Sequence, residues 1–277
     1  MRYALIADIH GNLEALQAVL AVIDSQFAGI TILCPGDIVG YGPDPSACLD
    51  IVQTRGMPCV RGNHEEMVLG LRDFSRCVAA GISAATWTRE QLSPAQQAFL
   101  RSLPIYRPIS EQVSMCHGDV INADTYISDA ASAKRALEQL QDVAPQARVL
   151  VCGHTHHAAV YTPALGFEVQ REAVTMALDL DSGCVLNPGA VGQARDGVPT
   201  ARFAILDLDQ RTVDFFKLGY DHQRTEAKMR KAGLLGGVVL TPPSGVWRRV
   251  ERARTRWARW RGDKDNRKRG YRPLGVP

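Results

Sequence analysis

Seven residues of this 277-residue chain are of types that bind cations, and each comes at or just past the end of a short apolar run. YALIAD ends on Asp8 and continues Ile-His10-Gly-Asn12, ITILC leads into Pro-Gly-Asp37, and PCVRG leads into Asn63-His64-Glu. VSMC then runs into His117-Gly-Asp, and RVLVC into Gly-His154-Thr-His156. Short runs of this composition are of strand type. In an open α/β sheet, sites form outside the carboxyl ends of the strands. Five successive runs would therefore deliver their donors to one place. Residues i and i+2 of an extended segment point the same way, which predicts that Asp8 converges with His10 and His154 with His156. A single DxH or GHxH arises easily by chance. Five such motifs, in order and at strand ends, do not.

The set supplies two carboxylates (Asp8, Asp37), four imidazoles (His10, His117, His154, His156) and the amide of Asn63, with His64 left over. That is too rich for one ion. It suits two with a carboxylate bridging them, since two-metal hydrolytic sites hold their ions ~3.5–4 Å apart. Imidazole and carboxylate without thiolate fit Mn, Fe, Zn or Co better than Mg or Ca. Manganese or iron is the expected occupant, with Zn, Co or Ni as alternatives. Two divalent ions against two carboxylates leave an excess of positive charge. Asn63 would ligate without spending charge. His157 is out of phase with its neighbours and reads as a rim residue. Glu65 and Asp119 read as acceptors that orient ligands, and Gly40 and Gly42 as points of close backbone passage beside Asp37.

DIHGN, GDIVGYGP, GNHE, CHGD and GHTH, in this order, resemble the calcineurin-like metallophosphoesterases. LNPGAVGQARDG and ARFAILDLD resemble a bacterial and archaeal branch of small phosphoesterases within that superfamily. One departure is CHGD, where relatives often have HGS or HGT. The resemblance covers residues 3 to about 235. It implies a four-layer αββα sandwich of two mixed sheets flanked by helices. It also implies hydrolysis of phosphate mono- or diesters, a phosphodiester or nucleotide foremost, by a hydroxide bridging two metal ions. Under it, Asp8, His10, Asp37 and His156 hold one ion, and Asp37, Asn63, His117 and His154 hold the other. His64 falls where the family keeps its histidine acid or phosphate-binding group. Asn12 and Arg195 are the candidate substrate-binding residues; Arg195 would clamp a second phosphate, unless GQARDG is a plain turn with a structural salt bridge. Asn187 is expected to end a strand and line the cleft. The family also contains protein serine/threonine phosphatases, dinucleoside polyphosphate hydrolases and non-enzymatic scaffolds for protein partners. Scaffolds have lost ligands, whereas every ligand position here is filled.

These donors need strands and crossovers to hold them. NLEALQAVLAVIDSQF carries Leu13, Leu16, Leu20, Ile23 and Phe27 at helical spacing behind Asn12 as N-cap. SPAQQAFLRSL opens with Ser93, Pro94 and Gln96, a capping-box pattern, and DAASAKRALEQL is a further helix. This alternation predicts parallel strands with helical crossovers. From about residue 158, AAVYTPA, FEVQRE, MALDLD, ARFAILDLD and TVDFFKL read as antiparallel strands.

Composition is that of a globular protein, 45% hydrophobic and 22% charged. The seven cysteines include no CxxC pair, which argues against a disulfide framework or a thiolate metal knuckle. No basic and apolar leader precedes the first strand, and LLGGVVL is too short for a span of ~20 residues. A cytoplasmic protein without a transmembrane segment is the expectation. Residues 247–272 carry twelve Lys/Arg against three Asp/Glu, which leaves 20 basic and 26 acidic residues in the remainder. The chain thus divides into a phosphoesterase domain, residues 1–235, and a basic Trp/Arg-rich extension, residues 236–277. Trp247, Val250, Ala253, Trp257 and Trp260 recur at helical spacing with arginines opposite. That stripe would dock on the domain itself, bind nucleic acid, or lie on an anionic membrane surface.

Overall fold

A computed structural model of the chain describes residues 1–73 and 79–234. The first half forms β1 (Arg2–Leu5), α1 (Leu13–Gln26), β2 (Thr31–Leu33), α2 (Pro45–Thr54), α3 (Asn63–Leu69), α4 (Ala79–Gln91) and α5 (Pro94–Ser102). It continues with β3 (Tyr106–Pro108), β4 (Val113–Cys116), α6 (Ala130–Val143) and β5 (Val149–Val151). The second half forms β6 (Ala158–Thr162), β7 (Gly166–Val169), β8 (Val174–Ala177), β9 (Cys184–Pro188), β10 (Thr200–Asp207), β11 (Thr212–Gly219) and α7 (His222–Lys231).

One sheet has the order β2-β1-β10-β11-β8 and the other β3-β4-β5-β9-β6-β7. Pairs β1–β2, β4–β5 and β5–β9 are parallel; the other pairs are antiparallel. Strand alternation sorts the side chains into layers. Leu5, Leu33, Ala204 and Leu206 of the first sheet meet Met115, Val151, Val160 and Leu186 of the second. On the reverse face, Ala4, Phe203 and Ile205 pack under Leu16, Val19 and Ile23 of α1. Beyond the second sheet, Leu150, Cys152 and Val185 are covered by Ala133, Ala136 and Leu140 of α6. The order of layers is helices, sheet, sheet, helix, the αββα sandwich expected.

The three helices read from the sequence form with the expected caps. Asn12 accepts from Ala15 N–H at the start of α1, Ser93 and Gln96 exchange hydrogen bonds at α5, and Asp129 caps α6. PCVRG departs from expectation. It makes a single bridge, Cys34 to Cys59, because Pro58 has no N–H to give and Arg61 N–H turns away to the Pro104 carbonyl. GNHE accordingly opens a helix, α3, in place of ending a strand. The halves are not uniform either, since β3 pairs antiparallel to β4 and β9 parallel to β5. Cys34, Cys48, Cys59, Cys116, Cys152 and Cys184 are buried free thiols, as core packing predicts. Among the described residues no helix is long and apolar enough to cross a membrane. The basic stripe over 247–260 lies outside the described residues.

Leu206 is fully buried between the sheets. Leu206→Ala is expected to cost about 3–5 kcal/mol, read from the midpoint of equilibrium urea unfolding. A change within about 0.5 kcal/mol, the range of surface substitutions, would show that the two sheets do not share this core.

Candidate metal centre

The loops leaving β1 and β2 interlock through their main chains. Asp8 N–H donates to the Gly36 carbonyl (3.2 Å), His10 N–H to Asp37 (2.9 Å) and Gly11 N–H to Ile38 (2.8 Å). The second sheet joins them where Val191 N–H reaches Ala7 O and Gly192 N–H reaches Asp8 O, both at 2.9 Å. Asp8, His10, Asp37, His154 and His156 all have positive φ, from 49° to 68°. The pairs Asp8/His10 and His154/His156 do converge, but not by the extended alternation expected of them. Left-handed turns aim them, at ~1–2 kcal/mol per residue. Gly40 and Gly42 make room for this crowding. A Cβ on Gly40 would lie 2.3 Å from His64 Nδ1, and one on Gly42 would lie 2.2 Å from the His10 carbonyl.

Ligand atoms of Asp8, His10, Asp37 and His156 lie within 4.8 Å of one another, and so do those of Asp37, His117 and His154. Asp37 belongs to both groups. Asn63 Oδ1 adjoins the second, 3.1 Å from His117 Nε2. Three rings turn Nδ1 towards main-chain carbonyls: His10 to Val39 (3.2 Å), His117 to Pro35 (2.8 Å) and His156 to Gln193 (2.6 Å). Protons on those nitrogens satisfy the carbonyls and leave each Nε2 lone pair facing inward. His10 and His156 then oppose lone pairs across 3.1 Å. His117 Nε2 likewise faces two oxygens, of Asn63 and Asp37, each at 3.1 Å. Buried Asp8 Oδ2 and His154 Nε2 make no hydrogen bond. Cations between these donors resolve all of the conflicts, so the residues fit a bound metal.

Burial raises the Asp8 carboxyl to about 7, with His117 opposing the rise and Asp37 adding to it. Burial also drives His10, His154 and His156 well below the ordinary imidazole range. At Asp37 burial opposes the charge, but His117, His64 and His10 outweigh it and hold the carboxyl well down. His117 is raised to about 10 against burial, by Asp37 and then Asp8. Without a metal, a proton at the Asp37–His117 contact is the nearest substitute for a cation.

Residues 1–211 match the family model for the calcineurin-like phosphoesterase superfamily domain. The chain belongs to that superfamily. An uncharacterized protein of Methanocaldococcus jannaschii is 31% identical over 236 residues, which is 82% of this chain and 91% of that protein. A metallophosphoesterase from Sphaerobacter thermophilus superposes with a TM-score of 0.70 at 34% identity, over 86% of this chain and 97% of that one. A hypothetical protein from Pyrococcus horikoshii shares the fold, with a TM-score of 0.65 at 19% identity over 86% and 96% of the two chains.

The donors of this calcineurin-like phosphoesterase open onto a cavity of about 960 Å³, with Asp37, Asn63, His64, His154 and His156 on its wall. His64 is buried between the rings of His10 (4.7 Å) and Tyr41 (4.4 Å). Its N–H holds Asp37 Oδ1 at 3.0 Å, and burial lowers its ring to about 4. His157 is exposed on the rim. Arg195 is also at the mouth, Nη1 3.5 Å from the Tyr126 hydroxyl, while its neighbour Asp196 makes a 2.6 Å salt bridge to Arg202. The structural salt bridge of GQARDG thus falls on Asp196, and Arg195 makes no part of it.

Other expectations need correcting. Asn12 is not offered to a substrate: it is fully buried, donates to Gly192 O (2.8 Å) and Tyr220 Oη (3.1 Å), and accepts from Ala15 N–H and Thr225 Oγ1. Those four bonds use its whole capacity. Asn187 does not line the cleft; it pins the GHTH loop through Gly153 O (2.6 Å) and Thr155 Oγ1 (3.1 Å). Asp119 accepts from Ile121 and Asn122 N–H and closes its own turn. The carboxylate beside a ligand is Asp124, 3.8 Å from His154 Nε2 and held by Arg72 at 2.9 Å. Asp124 and Tyr126 stand in no motif, and only the fold brings them here; Tyr41 lies within GDIVGYGP, but its place against His64 follows from the fold.

Glu65 does act as expected. Its carboxylate accepts from Gly62 (2.7 Å), Asp37 (2.9 Å) and Val39 (3.1 Å) N–H groups. Glu65→Gln puts an NH₂ against one of those donors, so metal affinity should fall about 10–100-fold. Competition titration with a chromogenic chelator measures it; unchanged affinity would show that Asp37 needs no such brace.

Proposed function

We propose that this phosphoesterase hydrolyses phosphate mono- or diesters at two adjacent divalent cations, with a phosphodiester or a nucleotide as substrate. The observation that carries this reading is Asp37, which belongs at once to two groups of buried donors. Asp8, His10, Asp37 and His156 would hold one ion; Asp37, Asn63, His117 and His154 would hold the other. Manganese or iron suits this mixture, and zinc, cobalt or nickel is compatible with the same donors. Ions so placed supply a nucleophile from water at neutral pH and neutralise charge on the phosphoryl oxygens.

The chain's own residues set position and charge. Asn63 donates a neutral oxygen, so the centre keeps the positive charge that draws in a phosphate. His64 occupies the cavity wall beside the donors, where its ring can hydrogen-bond to or protonate the departing oxygen. Arg195 offers a charged fork at the mouth. A volume of about 960 Å³ suits an organic ester better than inorganic phosphate. The unit proposed to do this is residues 1–235, since α7 packs back on the metal loops through Asn12 and Glu14.

Metal-stripped protein reloaded with Mn, Fe, Co, Ni, Zn or Mg tests the reading. The substrates are bis-p-nitrophenyl phosphate, p-nitrophenyl phosphate, diadenosine tetraphosphate and a phosphopeptide. Turnover restored by manganese or iron, with the diester or the nucleotide ahead, is the expected result. No turnover with any combination would overturn it, and preference for the phosphopeptide would make the chain a protein phosphatase. For His64→Ala, the loss should reach about 10²-fold or more with an alkyl leaving group and stay far smaller with nitrophenolate. Equal losses on both would remove His64 from the leaving-group role.

A further inference from the structure

We infer that the outer end of the same cavity is a second anion site, in which Arg171 and Arg195 hold a second phosphoryl group carried on the organic part of the substrate. The inference rests on the phosphoesterase reading for the identity of the inner group alone.

The cavity continues past the metal donors between two arms. One is the segment 170–172 linking β7 to β8, and the other is the segment 194–198 linking β9 to β10. Arg202 fixes the arms to each other. It is 4% exposed, and its Nη2 reaches the Arg171 carbonyl and Asp196 Oδ2, each at 2.6 Å. Nη1 lies 3.4 Å from the Gln170 carbonyl. The arms are therefore built, not loose.

Four cations line this end, Arg171, Arg195, Arg202 and Lys217, against two carboxylates, Glu172 and Asp196. Both carboxylates are taken, Asp196 by Arg202 at 2.6 Å and Glu172 by Lys217 at 2.9 Å. Among the described residues Arg171 and Arg195 have no carboxylate within ion-pair distance. An unpaired arginine on a convex surface is ordinary and solvated. Two on one concave wall, beside cations whose partners are already spent, focus a positive field into the space between them. His157 lines the same cavity as Arg171, Arg195 and Arg202.

Guanidinium forks match phosphate oxygens bidentately. The metal donors take the scissile phosphate; Arg195 approaches them through Tyr126, whose hydroxyl lies 3.5 Å from its Nη1 and whose ring packs 4.0 Å from that of His154, while Arg171 lines the same cavity from the other arm. Val169 and Val198, 47% and 45% exposed, line the same cavity next to these cations. An organic group that carries a second phosphate matches this mixed apolar and cationic lining.

The test compares thymidine 5′-monophosphate with thymidine 3′,5′-bisphosphate by isothermal titration on the full-length, manganese-loaded protein. Alongside it, turnover is measured on the p-nitrophenyl 5′-esters of both. The wild type should bind the bisphosphate at least tenfold more tightly. Arg171→Gln, or Arg195→Gln in its place, should bring that ratio below about threefold, and Arg171→Lys, which keeps the charge but loses the fork, should fall between the two. A ratio near one in the wild type, or a ratio unchanged by both glutamine variants, overturns the site. A wild type that keeps the binding ratio yet cleaves neither ester supports the anion site and counts against the phosphoesterase reading instead.

Discussion

Two carboxylates and four imidazoles, buried and within a few ångströms of one another, must share one small space at the floor of the cavity. Two like charges 4 Å apart repel by ~4 kcal/mol at the effective dielectric of a protein. The fold therefore accepts a cluster that destabilises it until cations arrive. The backbone adds to the burden. Five donors stand in left-handed conformations, at ~1–2 kcal/mol each, a sum comparable with the ~5–15 kcal/mol net stability of a whole domain. Such strain persists only where the surroundings over-determine it.

The surroundings do so in a regular way. Three of the ligand loops are each braced by one buried polar side chain from elsewhere in the chain or just beyond the loop. Glu65 takes three N–H groups around Asp37. Asn187, at the end of β9, holds both Gly153 and Thr155 around His154. Asn12 closes the Asp8–His10 turn by joining it to Gly192 from the opposite sheet. None of the three needs to touch a metal or a substrate. Each binds backbone in or beside a left-handed turn, and Asn12 adds a tie between the two sheets.

That division explains what could be read in advance. Donor types and their place after strand-like runs are local properties, so Asp8, His10, Asp37, Asn63, His117, His154 and His156 stood out together. Helices with one apolar stripe and a polar cap were equally legible, as at Asn12, Ser93 and Asp129. α3 was not, because all seven of its residues are buried and no stripe distinguishes a face. The braces were half legible: Glu65 was assigned its role, while Asn12 and Asn187 were assigned to the cleft. An asparagine at a strand end looks the same whether its amide faces a ligand or a carbonyl. Asp124 and Tyr126 depend on a loop whose path is set by Arg72, a partner that no spacing reveals.

Asn12 also bears on where the functional unit ends. The family match stops at residue 211, yet the side chain that closes the first metal loop is held by Tyr220 at 3.1 Å and Thr225 at 3.1 Å. Lys228 adds a second tie, 2.6 Å from Glu14 and 2.8 Å from Asp44. Removing α7 would leave the buried Asn12 carbonyl and the Glu14 carboxylate short of partners, a penalty of ~1–3 kcal/mol for each such group. The loss would fall on the Asp8–His10 turn and not on the Asp37–His117 contact, which α7 does not touch. A chain cut after β11 would keep its sheets and weaken one half of the metal centre selectively. Residues of α7, beyond the stretch that matches the family, therefore take part in holding the Asp8–His10 turn.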